Sequence, residues 1–350
     1  MREEREIDRD AIAGCLTAHY GLGVVSIAFL PLGNDFTAAV YRVAASNGSD
    51  YFLKIRFGPV FAPGLLVPRA LLDRDISNVL APLRTVTSDL WCPLPGHDAA
   101  AVVLYPFVPG ENAKIAGLSD DQWQVFGATL RAVHASGLQD RFRGLLRSED
   151  FSLPSAVAVR RLLAECAGAT FASPAATRFA RFLSANAPRI ATLLARAETL
   201  GAQLRAKRFD HVLCHGDIHG ANILVDDGHI WLVDWDCPLV APRERDLLFV
   251  VGSRIGRHVT PREEDSFFAG YGPTEIDPDA LAYYRYERRF EDLAETGQRI
   301  FHDPHLSERA REEQAAATMS LFAPGGDFDV AETVPRRRWP RASVGHHRLT

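Results

Sequence analysis

The sequence predicts an α+β protein of two lobes, a small β-rich N-lobe followed by a larger, mostly helical C-lobe. Three observations carry this reading. The 350 residues are too many for one small core and suit either one large domain or two lobes sharing a cleft. Residues 24–57 hold short runs with the period of two expected of strands, and beyond about residue 109 the apolar spacing turns helical. The composition is that of a globular chain, and 39 basic against 44 acidic side chains leave a formal charge of −5, which argues against nucleic acid as the main partner.

At the N-terminus, Ile12, Leu16 and Tyr20 lie on one side of a helix spanning residues 7–20, which Gly21 and Gly23 stop. The runs VVSIAFLPL, TAAVYRVAA and DYFLKIRF follow, joined by Gly33-Asn34-Asp35 and by Asn47-Gly48 into an antiparallel sheet. In the third run Tyr51, Leu53, Ile55 and Phe57 share one face, while Phe52, Lys54 and Arg56 share the other. A Pro- and Gly-rich insert at 58–68 leads to a short helix around Leu71 to Leu80, and Ala101 to Val108 form a further strand before Pro109-Gly110. The N-terminal lobe is therefore expected over 1–108 with a hinge at 105–108, and the C-terminal lobe over 109–330.

In the second lobe Ser119 and Gln122 make a capping box, Trp123, Phe126, Leu130 and Val133 form an apolar stripe that Gly137 closes, and helix continues through 155–206. Residues 331–350, with Arg336, Arg337, Arg338, Arg341 and Arg348, offer little to bury and are expected to form a disordered basic tail. No internal repeat is present. The opening MREEREIDRD is charged, and no run reaches the roughly 18 apolar residues of a membrane span, so a cytoplasmic protein is expected. Five scattered cysteines without a Cys-x-x-Cys pair read as reduced, mostly buried small hydrophobes. Asn47-Gly48-Ser49 matches a glycosylation acceptor, but without a secretory signal it reads better as a hairpin turn.

The chemistry concentrates in CHGDIHGANILVDDGHIWLVDWD, from Cys214 to Asp236. Asp217 and Asn222 lie five apart (222 − 217), and Asn222 and Asp234 twelve apart (234 − 222). Asp226-Asp227-Gly228 is a hairpin turn, so strands 223–225 and 230–233 fold back and bring Asn222 and Asp234 out at one end. A carboxamide and a carboxylate there suit a hard cation such as Mg²⁺, and Asp217 is placed to face an acceptor hydroxyl in phosphoryl transfer from ATP. The bland alternative is a polar loop on a hairpin. Against it stand the upstream strand bearing Lys54 and the Gly-containing turn before it, in the order phosphoryl transfer needs. Zinc ligation by Cys214, His215 and His219 is a weaker alternative, since no Glu follows the first His as a metalloprotease helix requires. Asp234 is followed by Trp235-Asp236 and then, after seven residues (241 − 234), by Ala241-Pro242, too soon for a protein-kinase activation loop. The acceptor is therefore expected to be a small molecule.

The chain resembles the aminoglycoside phosphotransferase family, and within it the spectinomycin phosphotransferases, from about residue 10 to 300. The resemblance rests on Phe52-Leu53-Lys54, Leu104 to Phe107, the CHGDIHGANILV block, Val233 to Asp236, Pro242 to Leu247, and Tyr283 to Arg288. It implies a protein-kinase-like two-lobed fold with ATP between the lobes and adenine on the backbone of Tyr105, Phe107 and Val108. Lys54 would contact the α and β phosphates, backbone amides of Gly33, Asn34, Asp35, Phe36 and Thr37 would cover them, Asn222 and Asp234 would hold Mg²⁺, and Asp217 would be catalytic. His215 is expected to order the loop. Kinases of this type fix the strand lysine with a helix glutamate, yet no Glu occurs between Lys54 and Glu111, which leaves Asp73 or Asp75 as substitutes.

For the acceptor, Glu287, Glu291 and Glu295 recur every four residues on one helix, a like-charge column that a cationic ligand would relieve. Compensation by Arg288 and Arg299 is the competing explanation. Asp236 and Glu111 are further acidic candidates. The expected activity is O-phosphorylation of an aminoglycoside or aminocyclitol antibiotic such as spectinomycin. A kinase of an amino alcohol or sugar, and a non-catalytic nucleotide-binding module, remain the alternatives.

Overall fold

The computed structural model describes residues 4, 7–32, 37–97, 99–255 and 258–333. Helix α1 (Arg9–Tyr20) starts at Asp8, whose side chain accepts the Asp10 N–H, and ends at Gly21. Strands β1 (Val24–Leu30), β2 (Ala38–Ala45) and β3 (Asp50–Phe57) follow as an antiparallel meander, and the Asn47 side chain accepts the Ser49 N–H in the turn read as a hairpin. Helix α2 (Pro63–Leu72) corrects the helix expected over 71–80, beginning eight residues earlier (71 − 63) and ending at Leu72. Pro63 explains the start, because the first helical position needs no N–H and favours the φ that proline fixes. The chain continues through β4 (Cys92–Pro93), β5 (Ala100–Pro106), β6 (Glu111–Asn112), α3 (Ala113–Ala116) and α4 (Asp120–His134). The Ser119/Gln122 capping box forms as expected, but α4 ends at Ala135, and Gly137 instead opens α5 (Leu138–Arg141).

Then come β7 (Arg147–Ser148), α6 (Ser155–Cys166), α7 (Pro174–Arg205), β8 (His211–Cys214), a 3₁₀ turn (Gly220–Asn222), β9 (Ile223–Asp226), β10 (His229–Leu232) and β11 (Leu239–Pro242). The last elements are α8 (Glu244–Leu247), α9 (Pro261–Tyr271), α10 (Pro278–His302), α11 (Glu308–Ser320) and α12 (Asp327–Val330). With strands toward the N-terminus and helices toward the C-terminus, the protein has the expected α+β, kinase-like fold.

The chain divides into two compact units. The first comprises 1–147, 215–239 and 269–271. Its five-stranded sheet runs β1-β2-β3-β5-β4, and the period-two reading of β3 holds: Leu53 and Ile55 are buried in a core with Leu16, Tyr41, Val102 and Leu104, while Lys54 and Arg56 occupy the opposite face. A second sheet runs β10-β9-β6. The segment before β4 secures its edge, with Leu80 N–H donating to Leu232 O at 3.0 Å and Asn78 Nδ2 to Ile230 O at 2.9 Å.

The second unit comprises 148–214, 240–268 and 272–350, with α10 packed against α6, α7 and α11. Tyr283 anchors it, its hydroxyl accepting the Leu153 N–H at 3.0 Å and its ring meeting Phe151 edge-on at 5.3 Å. Glu332 accepts two hydrogen bonds from Arg196, and residues 334–350, the rest of the expected tail, lie outside the described residues. Four of the five cysteines are buried and Cys237 is exposed, and none of the five forms a disulfide. Among the described residues no helix is long and apolar enough to cross a membrane.

Within this unit Glu244 is buried, and its Oε1 accepts the N–H of Asp277, the residue that caps α10. Burial pushes its pKa up from the usual glutamate value, so the folded state holds the proton more tightly than the unfolded chain. The resulting stability is present at low pH and lost as pH rises through the folded pKa. Glu244→Gln keeps the acceptor and removes this loss. Urea melts should show the variant gaining on the parent as pH rises above the ordinary glutamate range, and a pH-independent difference would refute the assignment.

Candidate active site

The loop after β8 is ordered by a histidine. His215 is fully buried, its ring 4.4 Å from that of Trp235. Its Nδ1 accepts the Asp217 N–H at 3.3 Å and its Nε2 lies 2.9 Å from Val233 O, so both nitrogens are engaged by backbone. This supports the loop-ordering role and removes His215 from any zinc set. Gly216 lies at φ 84°, and a Cβ there would sit 2.3 Å from Cys237 O, which only glycine avoids.

Asp217 projects from this loop. Its backbone O accepts Asn222 Nδ2 at 2.8 Å, which pins the amide and turns the Asn222 Oδ1 to the remaining side of the group. His219 Nδ1 accepts the Ala221 N–H, and its Nε2 faces the Asp217 carboxylate at 3.6 Å. The hairpin then forms as expected, with Ile223 paired to Leu232 and a two-residue turn of Asp227 and Gly228, both at positive φ. Val233 N–H donates to Asn222 O at 3.0 Å, so the residue before Asp234 is fastened to Asn222. Asp234 itself is held at φ 61°, a strained conformation for a non-glycine residue, with 51% of its side chain exposed. An amide oxygen and an exposed carboxylate are hard donors, and they fit Mg²⁺ better than a thiophilic ion.

Lys54 reaches this corner from β3. Its Nζ lies 3.2 Å from Asp236 Oδ2 and 3.6 Å from Asp234 Oδ1, while Arg56 Nη1 binds Asp236 Oδ1 at 2.9 Å. Asp73 is not the missing partner of Lys54, since its carboxylate is taken by Arg69 at 2.6 Å and Arg84 at 2.7 Å. The carboxylates that meet Lys54 are instead those of Asp236 and Asp234. Helix α2 sits directly on this strand end. A Cβ on Gly64 would approach Trp235 O to 2.7 Å, so glycine permits the contact. Sequence reading missed Arg56, although the period of two already placed it on the Lys54 face.

Tyr105, near the end of β5, packs edge-on against Phe52 with ring centres 6.3 Å apart. Burial first, then the carboxylates of Asp236 and Asp234, push its phenol pKa up, so it shares their surroundings. Phe107 N–H donates to Asp50 O at 3.2 Å, and its ring lies under the Arg42 guanidinium at 4.7 Å. Val108 follows β5 without regular structure. Thr37 O accepts the Phe57 N–H at 2.7 Å, while Gly33, Asn34, Asp35 and Phe36 lie outside the described residues.

In the second unit the acidic column of α10 meets a cation absent from the sequence expectation. Arg245 of α8 lies 3.8 Å from Glu287 and 3.7 Å from Glu291. Glu287 has a side-chain exposure of 0%, Glu291 of 34%. Arg288, expected to compensate the column, pairs with Asp292 at 3.1 Å.

For a phosphate-bearing substrate held at Lys54, Asp236→Asn is expected to raise the KM by about 10- to 100-fold, the loss of one or more charge-assisted contacts, with a smaller effect on kcat. Initial-rate kinetics check this, and an unchanged KM would show that Lys54 needs no such partner.

A family model described as the phosphotransferase enzyme family matches residues 28–284. Among solved structures, a spectinomycin phosphotransferase in complex with ADP and spectinomycin superposes with a TM-score of 0.80 at 28% identity, covering 93% of this chain and 98% of its own. An amicoumacin kinase in complex with AMP-PNP and Ca²⁺ gives 0.61 at 18%, covering 92% and 97%. A microcompartment-associated aminopropanol kinase gives 0.60 at 19%, covering 90% and 96%. No curated protein sequence matches significantly.

Proposed function

We propose, because this chain belongs to the phosphotransferase enzyme family, that it transfers the γ-phosphoryl group of ATP to a hydroxyl of an aminocyclitol or aminoglycoside antibiotic, spectinomycin being the first candidate. The observation that carries the antibiotic reading is the likeness to a spectinomycin phosphotransferase over 93% of the chain. Transfer itself is supported by the arrangement of Asp217, Asn222, Asp234 and Lys54 within one compact unit.

In this mechanism Asp217 orients the acceptor hydroxyl and accepts its proton as the phosphoryl group departs from ADP. Phosphoryl transfer passes through a loose transition state, so positioning and charge dominate over basicity. Lys54 and Arg56 are the cations for the α and β phosphates, and Asp236 holds both in place. Asn222 Oδ1 and Asp234 would hold Mg²⁺, which would offset charge on the phosphate oxygens. For a cationic acceptor Glu291 is a better candidate than Glu287, whose carboxylate is buried beside Arg245.

The test is ADP release with Mg·ATP across spectinomycin, other aminoglycosides, hygromycin, choline, aminopropanol and simple sugars. Turnover with spectinomycin or a related aminocyclitol is expected. Turnover confined to an amino alcohol or a sugar would replace the antibiotic with a metabolite while leaving the transfer chemistry in place.

A further inference from the structure

We propose that Cys15, His19 and Cys92 form a binding site for a thiophilic metal ion of the zinc class, apart from the residues assigned to phosphoryl transfer. Cys15 and His19 stand four residues apart on α1, which places them on one face of the helix, and Cys92 opens β4 at the edge of the five-stranded sheet. The two sulfurs are 3.4 Å apart and buried, and the ligand atoms of all three residues lie within 4.8 Å of one another.

A tetrahedral ion with metal–sulfur bonds of about 2.3 Å and metal–nitrogen bonds of about 2.0 Å sets its ligands about 3.5–3.8 Å apart. The sulfurs therefore already have nearly the required separation, and closure asks only for a side-chain adjustment at His19. The backbone of that residue is fixed by the Val86 N–H, which donates to His19 O at 2.8 Å. His19 is partly exposed, so its imidazole gives an ion a way in from solvent to the buried thiols.

Two thiols in a core can be no more than small hydrophobes, and both belong to the cluster that includes Leu16 and Val102. The metal reading explains more: a third ligand of the right type, at the right helical spacing, beside sulfurs in contact. On binding, two S–H bonds are replaced by two metal–sulfur bonds and two protons pass to the buffer, while the neutral imidazole supplies a lone pair. The fourth position is open to water.

The experiment uses the reduced, metal-free full chain carrying Cys237→Ser, which removes the exposed thiol, and Co²⁺ as the probe. One Co²⁺ per chain is expected, with a near-ultraviolet thiolate-to-cobalt band, visible bands of tetrahedral cobalt, release of protons, and displacement of the probe by Zn²⁺. Cys15→Ala and Cys92→Ala should each abolish the bands. His19→Gln should weaken Co²⁺ binding by at least about tenfold. Absence of the thiolate band in the parent, or its survival in a folded Cys15→Ala protein, would overturn the proposal. Should the alanine variants fail to fold, the half-buried His19 decides the matter, because unchanged Co²⁺ affinity in His19→Gln also overturns it. None of these readouts depends on phosphotransferase activity.

Discussion

Asp217→Asn is expected to lower kcat by about 10²- to 10⁴-fold, a loss of roughly 3–5 kcal/mol of transition-state stabilisation, while ATP binding stays unchanged. Two restraints of the loop run through the backbone of residue 217 rather than through its carboxylate. Asn222 Nδ2 bonds the backbone O of residue 217, and His215 Nδ1 accepts its backbone N–H, so both restraints persist in the variant. His219 Nε2, which faces the carboxylate at 3.6 Å, finds an amide oxygen in its place. On the proposed mechanism, what disappears is the capacity to take a proton from the acceptor hydroxyl. Steady-state kinetics with the best acceptor, together with calorimetric titration of a non-hydrolysable ATP analogue, separate the two effects. Near-normal turnover would move the base elsewhere; loss of nucleotide binding would mean that the loop had collapsed.

The parts of this site that could be read from sequence are those built by local chemistry. The two-residue turn at Asp227-Gly228 sets the register of β9 and β10, and that register carries Asn222 and Asp234 to one end. The capping box at Ser119 and Gln122 and the period of two in β3 are likewise determined within a few residues. Helix α2 was misplaced because Pro63, Gly64 and Pro68 count against helix by propensity. Proline is nonetheless well suited to the first helical position, and the glycine is required by Trp235, which lies 171 residues away (235 − 64). The partner of Lys54 could not be found by searching for a nearby glutamate, since Asp236 arrives 182 residues later (236 − 54). An acidic residue stands two positions after Asp234, the expected Mg²⁺ ligand, but nothing local says that it turns toward β3 rather than toward an acceptor.

Arg245→Met is expected to destabilise the fold by about 3–5 kcal/mol, the usual cost of breaking a buried ion pair from one side. Methionine retains the apolar length that packs beside Tyr284, whose ring centre lies 5.8 Å from the guanidinium carbon, so the change falls mainly on charge. The guanidinium is 6% exposed, and it faces Glu287, fully buried, and Glu291 across 3.8 and 3.7 Å. Burial alone would weaken its charged form, but Glu287 and then Glu291 more than reverse this and push its pKa above the ordinary arginine value, the mark of a charge held by its partners. Removing it sets the Glu287 carboxylate beside an apolar chain where a cation stood. The double variant Arg245→Met/Glu287→Leu removes both charges and should recover most of the loss, because well-packed apolar residues can replace a buried pair at little cost. Urea denaturation of the two single variants and the double variant gives the coupling. A single-variant loss below about 1 kcal/mol, the range of an exposed ion pair, would show that the α10 column does not need Arg245 and would restore the case for a cationic ligand at Glu287.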